Sequence, residues 1–505
     1  MISLQDFGWR HAGRKNPALR DINLTIHPGE KVLLLGASGS GKSTLLAAIA
    51  GVLGDDSEGH QTGSALIDGN PCEHTRGTVG LVLQDPDSQV IAARVGDDVA
   101  FGAENLRVPR DEIWRRVQAA LDTVGLRVPL EHPTAQLSGG QKQRLALAGV
   151  LAMGAKVICL DEPTANIDPD GVAEVRDAAI AAADRTGAAL VVVEHRVDAW
   201  VEHVDRIVVI GADDDKPGAT VLAEGSPRRI LNDYHSLLEA AGVWIPGHPP
   251  QLPEAKHVAT SSPAAVTTST PAAIAAHQLQ VGYTGPVHTP IDLQIHRGAS
   301  CCIVGPNGTG KSTLALTLGG LLKPISGTID ASGLLPRSCS QPTSGWRHRR
   351  KAKDLDPNPG QWSSKALAQR IGNVFQAPEH QFVTPTVRQE LELGPKQTGD
   401  ETGLARVDEL LELLRLSHLA AANPFTLSGG EKRRLSVATV LATAPAMLIL
   451  DEPTFGQDRN TFVEVVTLLR RLADEQGTTV VSITHDPLVV QALGDQVIDL
   501  GAAAA

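Results

Sequence analysis

The chain carries the same five short motifs twice, in the same order. The first copy reads GASGSGKST (36–44), LQDPDSQ (83–89), LSGGQKQR (137–144), VICLDEPT (157–164) and VVVEHR (191–196). The second copy reads GPNGTGKST (305–313), FQAPEHQ (375–381), LSGGEKRR (427–434), LILDEPT (448–454) and VSITHD (481–486). In both copies the LSGG serine precedes the DEPT aspartate by 23 residues, and the DEPT glutamate precedes the later histidine by 33. Such matched spacing predicts two copies of one domain.

The copies are separated by a change in composition. Residues 246–275 are rich in Pro, Ala, Thr and Ser, which predicts a flexible, partly extended linker between domains at 1–245 and 276–505. In the second copy the glutamine follows the loop lysine by 65 positions, against 42 in the first. An insertion near 331–365 explains the difference. Its basic stretch RHRRKAK (347–353) favours a solvated loop, with an anion-binding patch as the alternative.

Composition narrows the class of protein. A net charge of -12 opposes binding to nucleic acid or to an anionic membrane surface, so we expect no nucleic-acid partner. The most apolar stretch, Leu145–Ala155, falls well short of the roughly 20 residues that a membrane-spanning helix needs. We also expect no secretory leader, because the chain opens on a polar and aromatic segment. The five cysteines are an odd number without metal-type spacing, which suits a reducing compartment.

A glycine loop follows an apolar run in each copy. The runs Val32–Leu35 and Cys301–Val304 predict buried strands of a parallel sheet. The loops match the phosphate-binding pattern, in which backbone N–H groups surround phosphate oxygens at a helix N-terminus. Their residues are Gly36, Ala37, Ser38, Gly39, Ser40, Gly41, Lys42, Ser43 and Thr44, and Gly305, Pro306, Asn307, Gly308, Thr309, Gly310, Lys311, Ser312 and Thr313. The pattern places the lysines on the β and γ phosphates of ATP and the following serines on Mg²⁺.

The DE pairs close the next apolar runs, Val157–Leu160 and Met447–Leu450. Successive side chains diverge at a strand end, so one carboxylate can face the metal while its neighbour faces the attacking water. We therefore assign Mg²⁺ coordination to Asp161 and Asp451, and the general-base role to Glu162 and Glu452. An N-cap or a solvated carboxylate is the alternative.

Two further polar residues recur in each copy. His195 and His485 follow apolar runs at equal distance from the glutamates, which favours a role at the γ phosphate over a histidine satisfied at a strand end. Gln84 and Gln376 are candidates to contact both Mg²⁺ and the attacking water, although surface glutamines are common. A helical pattern at 111–124 places Ile113, Val117, Leu121 and Val124 on one face, so we expect a helical subdomain to carry LSGG.

The LSGGQ and LSGGE motifs, placed between phosphate loop and DEPT, resemble the signature of the ABC ATPases. The resemblance covers nearly the whole chain outside linker and insertion. It implies an α/β fold of two P-loop domains, each with a parallel-sheet core, an antiparallel β subdomain and a helical signature subdomain. It also implies that the fused cassettes pair head to tail, each signature helix facing the γ phosphate held by the other cassette.

Residue by residue, the resemblance implies two composite sites. The first would combine Lys42, Ser43, Gln84, Asp161, Glu162 and His195 with Ser428, Gly429 and Gly430. The second would combine Lys311, Ser312, Gln376, Asp451, Glu452 and His485 with Ser138, Gly139 and Gly140. Trp9 and Tyr283 match the position that stacks on adenine, with a core role as the alternative, and Asp168 and Asp458 match the D-loop aspartate.

The segments around the glutamines resemble the energy-coupling-factor (ECF) importers, as do VEHR (193–196) and DEPTFGQD (451–458). That branch imports B vitamins or cobalt and nickel ions. The resemblance implies a transmembrane coupling (T) subunit docked beside the glutamine loops, a substrate-binding membrane (S) subunit, and a cytoplasmic location peripheral to the inner face of the membrane. Departures are Glu431 in the second signature and the basic insertion. A tandem sugar-import ATPase and a ribosome-associated tandem-cassette translation factor are the alternatives.

Overall fold

The computed structural model describes residues 1–54, 57–164, 167, 169–213, 216–256, 259–261, 271–306, 308–335, 356–376, 378–427, 429–454 and 456–501. The chain divides into two compact units. The first comprises Met1–Pro250 with Gly456–Asn460, and the second comprises Gln251–Phe455 with Thr461–Ala505. Several residues singled out above lie outside the described part, namely Asn307, Ser428, Asp168 and the basic stretch 347–353.

The first unit is built on one mixed sheet. Its strands are β1 (Ile2–His11), β2 (Leu19–Ile26), β3 (Lys31–Leu35), β4 (Gly59–Ile67), β5 (Asn70–Pro71), β6 (Val79–Val82), β7 (Val157–Asp161), β8 (Ala189–Val193), β9 (Arg206–Asp213) and β10 (Lys216–Gly225). Their order is β5-β4-β1-β2-β10-β9-β3-β8-β7-β6. Strands β9, β3, β8, β7 and β6 pair in parallel, whereas β5, β4, β1 and β2 pair antiparallel.

Continuous apolar sequence explains the parallel part of this sheet. A strand covered by helices on both faces needs apolar side chains at every position rather than at alternate ones. Residues 32–35 of β3 are all fully buried, as are residues 190–193 of β8. The predicted strand at Val32–Leu35 is therefore confirmed, and it leads directly into the first phosphate loop.

Helices of the first unit flank the sheet and form the signature subdomain. They are α1 (Lys42–Ala50), α2 (Val95–Asn105), α3 (Arg110–Thr123), α4 (Gly139–Met153), α5 (Pro169–Thr186), α6 (Pro227–Asp233) and α7 (His235–Ala240). Helix α3 confirms the helical pattern, since Ile113, Val117, Leu121 and Val124 are each 5% exposed or less. These four side chains share one core with residues of α2 and α4. The predicted helical subdomain around LSGG is thus present.

The second unit repeats this plan in two sheets. Its strands are β11 (Ala259–Ser261), β12 (Ala272–Gln280), β13 (Ile291–His296), β14 (Ser300–Val304), β15 (Ser326–Asp330), β16 (Ile371–Val374), β17 (Met447–Asp451), β18 (Thr479–Ile483) and β19 (Gln496–Asp499). A parallel sheet has the order β11-β19-β14-β18-β17-β16, and an antiparallel sheet has the order β13-β12-β15. The predicted strand at Cys301–Val304 is confirmed as β14. The fold class predicted from the motifs is confirmed in both units.

The helices of the second unit follow the same order around the motifs. They are α8 (Lys311–Leu318), α9 (Ser364–Arg370), α10 (Val387–Thr398), α11 (Glu401–Ala405), α12 (Val407–Leu413), α13 (Gly429–Leu441), α14 (Arg459–Gln476) and α15 (Pro487–Leu493). None of the helices in the described ranges is both long and apolar enough to cross a membrane. The described cysteines, Cys72, Cys159, Cys301 and Cys302, are buried free thiols.

Part of the predicted linker forms an edge strand. Strand β11 pairs in parallel with β19, which extends the second unit's sheet. Just before it, the Lys256 N–H donates to Asp495 Oδ1 at 2.8 Å, and Lys256 Nζ lies 2.7 Å from Asp474 Oδ1. The segment following Gln251 is therefore attached to the second cassette by backbone pairing as well as by charge.

Candidate functional site

The first phosphate loop lies between β3 and α1. Gly36 has φ 154°, and a Cβ at this position would lie 2.0 Å from the Ile210 carbonyl oxygen, so only glycine fits. Gly41 caps α1 in the left-handed region at φ 84°. Lys42 is 5% exposed, and its ammonium donates to the Gly36 and Ala37 carbonyls at 2.9 and 2.8 Å. The loop thus curls around the lysine ammonium at the N-terminus of α1, as phosphate binding requires.

A carboxylate and a hydroxyl meet beside this lysine. Asp161 ends β7, and the Ser43 hydroxyl hydrogen-bonds to its carboxylate. Burial raises the pKa of Asp161 to about 6, although the Ser43 hydrogen bond opposes the shift. Asp161 Oδ1 is buried and has no hydrogen-bond partner. An orphaned carboxylate oxygen next to a hydroxyl fits Mg²⁺, which prefers oxygen ligands and would lower the cost of burying this charge.

Glu162 adopts a strained backbone conformation, with φ 46°. Its carboxylate is held from two sides. Gln84 Nε2 donates to Oε2 at 2.7 Å, and His195 Nε2 lies 3.0 Å from Oε1. Burial alone would raise the pKa of Glu162, but the hydrogen bond and charge of His195 outweigh it and lower the pKa. The structure therefore brings Gln84, Glu162 and His195 together, as the motif spacing predicts, and keeps the carboxylate ionised, as a general base requires.

In the second unit, one cavity of about 260 Å³ gathers the corresponding side chains. Its lining residues are Val287, Gly308, Gly310, Lys311, Ser312, Thr313, Gln376, Asp451, Glu452, Ile483 and His485. The Lys311 ammonium again donates to two loop carbonyls, Gly305 at 2.8 Å and Pro306 at 2.9 Å. All six same-cassette residues assigned to the second site from sequence therefore line a single cavity. Val287, which the motif analysis missed, adds an apolar wall.

The corresponding glutamate of the second unit, Glu452, has a different set of contacts. Glu452 has φ 49°, close to the value for Glu162. His485 Nε2 lies 3.5 Å from Glu452 Oε1, and this oxygen is buried without a hydrogen-bond partner. Burial and the charge of Asp451 raise the pKa of Glu452 to about 7. The two glutamates thus share a backbone conformation but differ in the direction of their pKa shift. The His195 side chain outweighs burial at Glu162, whereas burial and the charge of Asp451 outweigh the hydrogen bond from the His485 backbone at Glu452.

The signature motifs begin helices, as predicted. In the first unit Ser138 caps α4, with its hydroxyl accepting from the Gln141 N–H at 3.3 Å. The Gln141 side chain completes a capping box by accepting from the Ser138 N–H at 2.9 Å. In the second unit Gly429 and Gly430 open α13. Each signature therefore presents the N-terminus of a helix of 13 residues or more, where an anion is favoured.

Comparison with known proteins identifies the family. A model of the ABC transporter family matches residues 19–165 and 288–455, which include both phosphate loops and both DE pairs. The chain belongs to the ABC transporter family. Its cassettes bind ATP together with Mg²⁺, and hydrolysis is coupled to transport. ABC ATPases of import systems work with membrane subunits.

Relatives of this ABC protein match along nearly its whole length. The putative HMP/thiamine import ATP-binding protein YkoD of Bacillus subtilis (strain 168) is 34% identical over 521 residues, covering 99% of this chain and 90% of the relative. A putative ABC transporter ATP-binding protein of Methanosarcina acetivorans is 33% identical over 542 residues, covering 98% and 84%. The structure of ribosome-bound archaeal Pelota and ABCE1 matches 97% of this chain and 76% of its own, with 20% identity and TM-score 0.63. At that identity the likeness shows the fold alone.

The expectation that Trp9 stacks on adenine is wrong. Trp9 is 3% exposed and packs in the hydrophobic core, so its ring is already covered by protein. Two residues later, His11 is exposed, with Nε2 3.5 Å from the Thr44 hydroxyl of the phosphate-loop helix. The ring that lies beside the first phosphate loop is therefore the imidazole of His11. In the second cassette Tyr283 is 73% exposed and stays a candidate for adenine stacking.

A buried acid beside His195 was also missed. Glu194 is 3% exposed and accepts from the Thr164 N–H at 3.1 Å and from the Thr164 hydroxyl. Its other oxygen accepts from the His195 N–H at 3.3 Å. Burial raises the pKa of Glu194 to about 7. The Glu194 carboxyl therefore links Thr164, in the segment that follows β7, to His195, in the segment that follows β8. In the second copy Thr484 occupies the same position, so the repeat itself marks a difference between the sites.

Proposed function

We propose that this chain is the energy-coupling ATPase of an ECF-type importer for a vitamin or a transition-metal ion. The observation that carries the proposal is the end-to-end similarity to YkoD, whose name describes import of HMP or thiamine. The motifs around the glutamine loops support the same branch. In this role the chain lies against the inner face of the cell membrane and binds a T subunit, which in turn works with an S subunit that binds the cargo.

Two exposed apolar side chains support a membrane partner beside the glutamine loops. Ile91 is 63% exposed and Val383 is 72% exposed, at corresponding positions of the two copies. Each is presented by a loop fixed to the following helix. The Ile91 N–H donates to Asp98 Oδ2 at 2.8 Å, and the Val383 N–H donates to Glu390 Oε2 at 3.1 Å. An apolar side chain held rigidly in water suits a docking surface, because little conformational entropy is lost on binding.

Co-purification tests this docking. The chain is expressed with a tag in its native host and recovered through that tag from detergent extracts of the membranes. We expect wild type to retain a T subunit, and the pair Ile91→Asp and Val383→Asp to lose it while keeping ATP hydrolysis. Val52, which is 61% exposed elsewhere on the first unit, supplies the matched control Val52→Asp. Recovery with ribosomes and no membrane protein would instead support the translation-factor alternative, and a sugar-permease partner the sugar-import alternative.

We further propose two composite ATP sites, each completed by the signature of the other cassette. Variants of the two glutamates allow hydrolysis at each site to be measured on its own. Glu162→Gln leaves hydrolysis at the second phosphate loop, and Glu452→Gln leaves hydrolysis at the first. Gly139→Asp in the first signature should then abolish the hydrolysis that remains in the Glu162→Gln protein and spare that of the Glu452→Gln protein. The reverse pattern would show that each signature serves its own cassette.

A further inference from the structure

The two signature helices differ in charge at a buried position beside the glutamine loop. The seventh residue of LSGGQKQR is Gln143, and the seventh residue of LSGGEKRR is Arg433. Gln143 is 2% exposed in α4, and Arg433 is 3% exposed in α13. Both side chains point at the backbone of the glutamine loop of their own cassette. A neutral amide and a guanidinium therefore occupy equivalent places beside the two ATP sites.

Arg433 joins three backbone carbonyls. Nη1 donates to the Phe375 oxygen at 2.6 Å, and Nη2 donates to the oxygens of Gln376 at 3.0 Å and Glu452 at 2.8 Å. Burial lowers the pKa of Arg433 to about 10, opposed by the charges of Asp451 and Glu452, so the group stays charged at neutral pH. Charge-assisted bonds of this kind are about twice as strong as neutral ones. One cation thus connects the signature helix, the glutamine loop and the strained residue that supplies the catalytic carboxylate.

Gln143 makes a weaker version of this contact. Its amide donates to the Leu83 and Gln84 carbonyls at 3.2 and 3.3 Å, and its Oε1 is buried without a partner. In the first cassette the glutamine loop reaches the catalytic residue directly, through the 2.7 Å bond from Gln84 Nε2 to the Glu162 carboxylate. In the second cassette Glu452 Oε1 accepts no hydrogen bond, and the Glu452 carboxylate is bonded by the His485 backbone rather than by the glutamine loop. The two cassettes therefore connect glutamine loop and glutamate by different bonds.

We infer that Arg433 is a positioning residue that couples the glutamine loop and the signature helix to Glu452, a connection that the first cassette makes through Gln84. Movement of the helical subdomain is transmitted to Glu452 through its own carbonyl, because the guanidinium is bonded to both. Without Arg433, Glu452 keeps the bond from its N–H to the Ile483 carbonyl at 3.0 Å but loses the bond from its own carbonyl to the signature helix. The inference requires ATP hydrolysis, which family membership establishes, and does not require the import role.

The test measures the second site alone. In the Glu162→Gln background, Arg433→Gln installs the residue that the first cassette carries. We expect kcat to fall at least about tenfold, because displacement of a catalytic group by about 1 Å costs up to roughly a hundredfold in rate. KM for ATP should change less than about twofold, since Arg433 contacts backbone carbonyls away from the phosphate-binding lysine. If Arg433 acted on stability alone, Arg433→Gln would lower the melting temperature without lowering kcat at a nearly unchanged KM.

The matched control is Gln143→Ala in the Glu452→Gln background, where only the first site turns over. We expect less than about threefold loss of kcat there, since Gln84 still holds Glu162. Equal losses in the two backgrounds, or a wild-type kcat in the Arg433→Gln protein, would overturn the inference. Should Arg433→Gln fail to fold, Arg433→Lys replaces it: a lowered kcat at unchanged KM supports the role, and a wild-type kcat refutes it.

Discussion

Replacement of Glu194 by glutamine should change how the stability of the protein depends on pH. Glu194 is buried at the end of β8, where its carboxyl accepts from Thr164 and from the His195 N–H. Burial raises its pKa from 4.5 to about 7 in the folded protein. In the unfolded chain the same group is solvated and titrates near its ordinary value. Glutamine has nearly the same shape, and its oxygen accepts the two bonds from Thr164. Its amide nitrogen cannot accept from the His195 N–H, a loss that does not depend on pH, and it carries no titratable proton.

The magnitude follows from the difference between the two pKa values. Folding favours the protonated acid, so this stabilisation is fully present below pH 4.5 and is lost as the pH rises through about 7. Each pKa unit corresponds to about 1.4 kcal/mol, so the stabilisation lost from the folded protein amounts to about 3 kcal/mol. The Glu194→Gln protein does not pay this cost. Relative to wild type, its free energy of unfolding should therefore rise by about 3 kcal/mol between pH 5 and pH 8.

Urea unfolding at pH 5, 6, 7 and 8 without nucleotide measures this difference. Trp200 is fully buried in the first unit, so its fluorescence contributes to the signal for unfolding of the unit that contains Glu194. The control is Glu73→Gln, which makes the same substitution at a glutamate whose side chain is 64% exposed. Parallel curves for wild type and Glu194→Gln over the whole range would refute the reasoning, since they would mean that Glu194 does not titrate differently in the folded chain.

Three further predictions concern turnover, adenine binding and the core. Glu162→Gln and Glu452→Gln should each lower steady-state ATP hydrolysis while preserving ATP binding; unchanged hydrolysis in either would remove that glutamate from its role. In the Glu452→Gln background, His11→Ala should raise KM for ATP by about two- to tenfold, the value of one ring-stacking contact, whereas Trp9→Phe should lower the melting temperature and leave KM unchanged. Leu33→Ala, in the fully buried strand β3, should cost about 2–5 kcal/mol in urea unfolding, and a loss below 1 kcal/mol would contradict its central position.

Short sequence patterns predicted several strands, one helix face and the convergence of the site residues. Apolar runs that lead into glycine loops predicted β3 and β14, and the spacing of Ile113, Val117 and Leu121 predicted the buried face of α3. The doubled motifs predicted that Lys311, Glu452 and His485 converge, and they line one cavity. These features depend on short-range patterns. A strand between helices is apolar at every position, and a phosphate loop needs glycine where the backbone turns.

Other features were decided only by the tertiary structure. An aromatic residue near the end of β1 is visible in the sequence, but the packing of the sheet determines that Trp9 enters the core and His11 does not. Arg433 contacts the carbonyl of Gln376, which is 57 residues away, and no periodicity predicts which carbonyl a buried guanidinium reaches. Side chains that titrate or hold a catalytic group act through desolvation and through bonds between distant segments, and both arise only when those segments pack together.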